Sequence, residues 1–450
     1  VASNRLIGGL ARLRSDSALR GMSGVFVLKA VTTVLNLLLI TLAARTLGEH
    51  GFGTYSILFS AAGLFAVIAT CGQQMFLMRA WNEYCSAGDQ HRLRGALIFT
   101  SVVSAVGGGI IALGFYAWFA ATHDAALTAS VALYLIALSI VLTTSHLVRT
   151  AIGVGTGDGV ADLLLVIPAI VYLLFGMFAG THVEISVIFL LMAGGEALAV
   201  AIHVAVMWPK TLGRFPGIGH AAAVYDFREW TARSGRLWIS NGLEAANQYA
   251  DVVLIGFLMS PSVAGAYFVT TRIANAFAMA TDVIYRFSTR HFPDLYYRRQ
   301  FRQLDKLLDT VAAVTLLVIV GGMLAIVGGG QWILRAFSAD YVSYYGALVL
   351  LSLGPAAVAA AGPSGSILML TGHEGRNLAI IGSTVLMRAI GFVVLIPFFG
   401  IIGAVTATAV SFAFMAVMLR TSAKSATGID ASVLRLLTKF RSRRAEVPAE

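Results

Sequence analysis

The chain has 450 residues, of which 58% are hydrophobic and 12% charged, with a mean hydropathy of +0.81 and a formal net charge of +10. A soluble protein of this length carries about a quarter charged residues, so the composition excludes a soluble enzyme and indicates an all-α, polytopic membrane protein. Its two cysteines exclude a disulfide framework and supply too few ligands for a metal site, and no cofactor is called for.

A spanning helix needs about 20 apolar residues. In chain order, segments of that kind are residues 22–44, 54–78, 95–120, 127–148, 161–180 and 184–207, then 235–259, 262–285, 307–328, 344–370, 378–397 and 401–420, twelve in all. Residues 1–21 lack the apolar core and cleavage site of a signal peptide and read as a cytoplasmic N-terminal segment. The expected domains are an N-terminal six-helix lobe (22–207), a cytoplasmic inter-lobe linker (208–234), a C-terminal six-helix lobe (235–420) and a basic cytoplasmic tail (421–450). Of 32 Lys and Arg, all but Arg45 and Arg335 (outside) and Lys29, Arg272 and Arg388 (within spans) fall at inner connections or, for Arg236 and Arg420, at the inner ends of spans. That bias puts both termini in the cytoplasm, with the basic excess facing anionic lipid and no nucleic acid required.

The two halves share a signature. "TLGEHGFGTYS" (Thr46 to Ser56) and "LMSPSVAGAYF" (Leu258 to Phe268) each end an apolar helix and re-enter through Gly-x-Tyr, Gly53 and Tyr55 matching Gly265 and Tyr267. The same offset pairs Lys29, Thr32 and Asn36 of the first span with Asn241, Glu244 and Gln248 of the seventh. Six spans per half give a parallel repeat, whose site is expected in a central cavity near mid-membrane.

Asn241, Glu244, Gln248 and Asp251 follow a spacing of 3, 4 and 3, which lines one face of a helix. Lys29, Thr32 and Asn36 do the same in the first span, and Arg272, Asn275 and Asp282 in the eighth. A charge at mid-membrane costs about 2.5–3.5 kcal/mol on insertion scales, so it faces a partner or a wet cavity. Two readings follow. Either Arg272 pairs with Asp251 or Glu244 and the charges lock the lobes, or Lys29, Arg272 and Arg388, helped by Asn36, Asn241 and Gln248, bind an anionic substrate. In the second reading Glu244, Asp251 or Asp282 binds the coupling ion.

Weaker signals surround these. Glu196 and His203 in the sixth span suit a proton relay or a hydrogen-bonded pair between helices. Gln73 and Gln74 satisfy local backbone, and Pro168, Pro355, Pro363 and Pro397 bend spans. The run "GVGTGDG" lacks the Gly-Lys-Ser/Thr of a phosphate loop and reads as a turn. In "SVLRLLTKFRSRR", Val433, Leu436, Leu437 and Phe440 share a face opposite five basic residues, a pattern for a helix on the inner leaflet or for a disordered basic tail.

Three segments, "AARTLGEHGFGTYSILFS" leading to "QMFLMRAWNEY", "NQYADVVLIGFLMSPSVAGAYFVTTRIANAF" and "LMLTGHEGRN", together with the twelve-span plan, resemble the polysaccharide-export (Wzx-like) branch of the multidrug/oligosaccharidyl-lipid/polysaccharide exporter superfamily. The resemblance implies two six-helix lobes around a central cavity. It further implies flipping of a polyprenyl-diphosphate-linked oligosaccharide across a bacterial inner membrane, with membrane lipids, a polysaccharide polymerase and a chain-length regulator as partners. The cavity cations of that family map onto Lys29, Arg272 and Arg388. A drug or cation antiporter of the same superfamily is the alternative, and a membrane polysaccharide polymerase is a further one, which the short outside loops oppose.

Overall fold

The computed structural model describes residues 17–121 and 124–436, and every extended regular element among them is helical. The chain folds into two compact units. The N-terminal unit holds the chain to Leu47 and Ala61–Gly242; the C-terminal unit holds Gly48–Ser60 and the chain from Leu243 onward.

Helix α1 (Ser17–Ala69) carries the first two expected spans, broken at Gly48, whose φ of 68° and ψ of 174° a side chain would resist. After a left-handed turn at Cys71 and Gly72 come α2 (Gln73–Ala87), α3 (Gln90–Phe119) and α4 (Ala125–Ala151). Asp89 and Asp124 cap the last two, accepting from Arg92 N and from Ala126 and Leu127 N. A π-helical turn (Gly155–Gly159) leads into α5 (Val160–Ala179), and α6 (Ile185–Arg214) follows. The glycine run is therefore wound into helix rather than forming a loose turn. Gly157 permits this, because a Cβ there would lie 2.6 Å from Arg149 N.

The stretch expected to link the lobes is mostly helix. Helix α6 runs to Arg214 and α7 (Phe227–Leu258) starts at Phe227, leaving 215–226 as the connection. The first turns of α7 are anchored inside the N-terminal unit by Trp230, which is fully buried among Phe76, Phe99 and Tyr84 and donates to Tyr84 Oη at 2.9 Å. Gln73 does more than satisfy local backbone. It donates to Ser234 Oγ at 3.1 Å and accepts from Thr100 Oγ1 at 3.1 Å, joining α2, α3 and α7.

In the C-terminal unit, Ser260 and Pro261 start α8 (Pro261–Ala274), which stops at Asn275 where the sequence suggests one continuous span. Then come α9 (Ala276–Tyr297), α10 (Phe301–Phe337), a 3-10 turn, α11 (Tyr345–Ala360), α12 (Ser364–Leu370) and α13 (Glu374–Thr427). Gly362 and Pro363 split the expected tenth span into α11 and α12, and Gly400 (φ 56°, ψ −135°) splits α13 into the last two.

Among the described residues eight helices are long and apolar enough to cross a membrane, and two of these, α1 and α13, are broken at a glycine. Helix α7 carries the polar residues singled out above and further charges in its first turns, and α8, with 14 residues, is shorter than a single span. Large apolar side chains such as Phe178 (82%), Phe398 (78%) and Trp332 (74%) stand exposed, as lipid-facing residues of a multi-pass membrane protein do.

The two Gly-x-Tyr motifs meet. A Cβ on Gly53 would overlap the Pro261 carbonyl, and one on Gly265 would sit 3.0 Å from Gly53 Cα. Phe52 packs edge-on against Phe268 beside this crossing. The repeated glycines thus let two helices of the C-terminal unit approach at backbone distance.

The start of the basic tail is tucked in rather than laid on a surface. Asp430 accepts from Arg420 and Ser432, Val433 N bonds to the Ala360 carbonyl, and buried Arg435 pairs with Asp305 and Asp309, each at 2.8 Å. Leu437 and Phe440 lie outside the described residues.

Candidate functional site

Arg388 on α13 is 2% exposed. Its Nη1 donates to Asp251 Oδ2 at 2.8 Å and to the Asn247 carbonyl, Nη2 to Asn247 Oδ1 at 2.8 Å, and Nε to Ser411 Oγ at 3.0 Å. The guanidinium also lies 4.3 Å from the Phe412 ring centroid. Tyr267 Oη donates to Asp251 Oδ2 at 3.1 Å and contacts Thr408 Oγ1 at 2.8 Å. The network spans α7, α8 and both arms of α13. A buried ion pair is tolerated when its remaining donors and acceptors are met, and here each guanidinium nitrogen donates to a protein oxygen.

Two of the expected site residues are thus partnered inside the protein. Arg388, expected on a substrate-binding surface, is closed off by protein groups, and Asp251, expected to hold a coupling ion, already holds a guanidinium. The locking partner of Asp251 is Arg388, not Arg272.

Arg272, in the last turn of α8, is half-buried. Its guanidinium carbon stands 4.8 Å from the Phe268 centroid, a cation–π contact, and the Tyr249 and Tyr55 side chains are near enough to interact with it electrostatically. Among the described residues it has no carboxylate partner. On α7, one turn apart, Glu244 and Gln248 are exposed, whereas Asn241 is buried with an Nδ2 that bonds to nothing. Asp282 stands exposed on α9.

Lys29 and Asn36 lie in the N-terminal unit. Lys29 pairs with Asp162 of α5 at 2.9 Å, both groups partly solvated, and Asn36 spends its amide on the Thr32 carbonyl one turn back. Glu196 and His203 do not bond each other. His203 Nε2 donates to the Thr156 and Gly157 carbonyls at 3.1 and 3.0 Å and Nδ1 faces Thr144 Oγ1 at 3.0 Å, which fixes the ring on the π turn. The tautomer follows, because carbonyls only accept.

Sequence reasoning missed Asn247, Tyr267, Thr408 and Ser411 as partners of the buried pair, and Asp162 as partner of Lys29. Tyr267 alone carried a signal, being part of the repeated Gly-x-Tyr. Hydroxyl residues in apolar spans otherwise look alike until the helices are packed. Among the described residues no group of three His, Cys, Asp or Glu could hold a metal ion.

No protein-family model and no curated protein sequence matches the chain. Solved structures do. The chain is similar to an inward-facing multidrug resistance MATE family transporter of the MOP superfamily (TM-score 0.70, 12% identity, 88% of this chain and 94% of that one). It is similar to the lipid II flippase MurJ in an inward closed conformation (TM-score 0.65, 13% identity, 95% and 93%). A third likeness is to a MOP superfamily transporter from Pyrococcus furiosus (TM-score 0.63, 11% identity, 91% and 95%). The fold is therefore that of an all-helical, multi-pass membrane protein. More particularly, it is the fold seen in these solved MATE and MurJ structures.

Proposed function

We propose that the chain flips polyprenyl-diphosphate-linked oligosaccharide repeat units across the bacterial inner membrane by alternating access, for exopolysaccharide, capsule or O-antigen assembly. The observation that supports this most is Arg272, a half-buried cation in a membrane helix with a ring against one side and no carboxylate partner among the described residues. A diphosphate supplies what that guanidinium lacks. Arginine–phosphate hydrogen bonds are charge-assisted and can be bidentate, and they offset part of the dehydration of the head group. Exposed Gln248 on α7 suits the sugar hydroxyls. The sequence resemblance and the MurJ-like fold point the same way. A polymerase and a chain-length regulator would consume the product.

A second reading, small-molecule or cation antiport, has its own support in exposed Glu244 and in the likeness to a multidrug transporter. The test separates them. In a bacterial deletion strain, lipid-linked oligosaccharides are extracted and assigned to a membrane face, with wild type or Arg272→Ala returned on a plasmid. Complete repeat units stranded on the inner face, rescued by wild type and not by a well-expressed Arg272→Ala, are expected. Normal pools in the deletion strain together with a changed drug susceptibility would favour antiport.

A further inference from the structure

We propose that Glu196 is a proton-binding site, the carboxyl through which the N-terminal unit takes up and releases a proton during transport; the proposal rests on the transporter reading above. Glu196 sits near the middle of α6, is 2% exposed, and its Oε2 has no hydrogen-bond partner. It is the one carboxyl oxygen in the N-terminal unit, among the described residues, that is both buried and unbonded. The surroundings are tight and apolar. Next to it Gly195 is pressed on the Leu164 carbonyl so closely that a Cβ would overlap it, and one turn on Ala199 packs into a buried cluster with Val141 and Ala161.

The charged and titratable groups on the elements packed against α6 are otherwise occupied. On α4, His146 bonds the Leu142 carbonyl and Arg149 pairs with Asp158 of the π turn; His203 of α6 is held by Thr144 and two carbonyls. Asp162 on α5 is within electrostatic reach of Glu196 and is itself paired to Lys29 of α1. A buried carboxyl without a protein donor is accommodated with its proton on, and needs a cation or water once the proton leaves. Loss of that proton sets two carboxylates against the single Lys29 ammonium. Proton occupancy of Glu196 is in this way tied to the contact that joins α1 to α5, and His203 has no part in it. The coupling carboxyl thus lies in the N-terminal unit, away from Glu244, Asp251 and Asp282.

The spectroscopic test uses the full chain reconstituted in lipid and needs no substrate. Infrared spectra should show a protonated-carboxyl band that shifts on 13C-glutamate labelling, fades as pH rises, and is lost in Glu196→Gln. In Glu196→Asp it should answer to labelled aspartate instead, which keeps the assignment secure if the glutamine variant folds poorly. Asp162→Asn should change the pH at which the band fades. A glutamate band that persists in Glu196→Gln, or the lack of any such band, would overturn the proposal. So would undiminished export by folded Glu196→Gln. Failure of wild type to export lipid-linked sugars would instead sink the flippase reading, with the infrared result still deciding the proton site.

Discussion

Arg388 and Arg272 are both arginines inside spanning segments of one unit, and their surroundings are opposite. Arg388 has a carboxylate, an amide, a carbonyl, a hydroxyl and a ring around it. Arg272 has a ring and two nearby phenols. Satisfied hydrogen bonding suits the first to a scaffold role, and its lack is what the proposed head-group contact of the second rests on. Sequence spacing cannot tell the two apart, because insertion into the membrane costs the same for either.

Substitution sharpens the contrast. The largest effect on stability is expected for Arg388→Ala, which strands Asp251 and should cost about 3–5 kcal/mol, read as a lower melting temperature of purified protein. Asp251→Asn should cost less, and Arg388→Met with Asp251→Leu should recover much of the loss. An unchanged melting point in Arg388→Ala would remove the scaffold role. Arg272→Ala should reverse the pattern, leaving melting within error while head-group affinity falls ~10–100-fold, the equivalent of losing a charge-assisted hydrogen bond of about 1.5–3 kcal/mol.

A smaller effect is expected where the chain re-enters behind α13. Burial alone would push the Asp430 carboxyl up, but hydrogen bonds from Arg420 and Ser432 prevail and hold it at about 2. A carboxyl whose folded value lies below its unfolded one stabilises the fold above the unfolded value and loses that contribution as pH falls toward the folded one. Asp430→Asn should therefore cost at most about 2 kcal/mol near neutrality and nothing below about pH 2. Chemical melts at descending pH check this: equal penalties at neutral and strongly acid pH would show that the clasp is not electrostatic. The smallest effect belongs to Lys29→Ala, an exposed pair with Asp162 worth ~0–1 kcal/mol. Export that survives this change would leave Lys29 out of the anion site.

Sequence by itself determined the membrane character and the helical segments, because lipid demands long apolar helices and hydropathy reports them directly. The same pattern put span boundaries on either side of Gly48 and Gly400, and it showed the polar stripe on α7 as a departure needing a partner. Partnership was decided only by packing. Whether Asp251 met Arg272 or Arg388, whether His203 served Glu196 or the π turn, and whether Arg435 lay on a surface or between two aspartates all depend on which faces come within about 3 Å. One-dimensional spacing fixes the direction of a side chain on its own helix; the identity of what stands opposite is a property of the assembled helices, and there the bound charges and the unbonded ones part company.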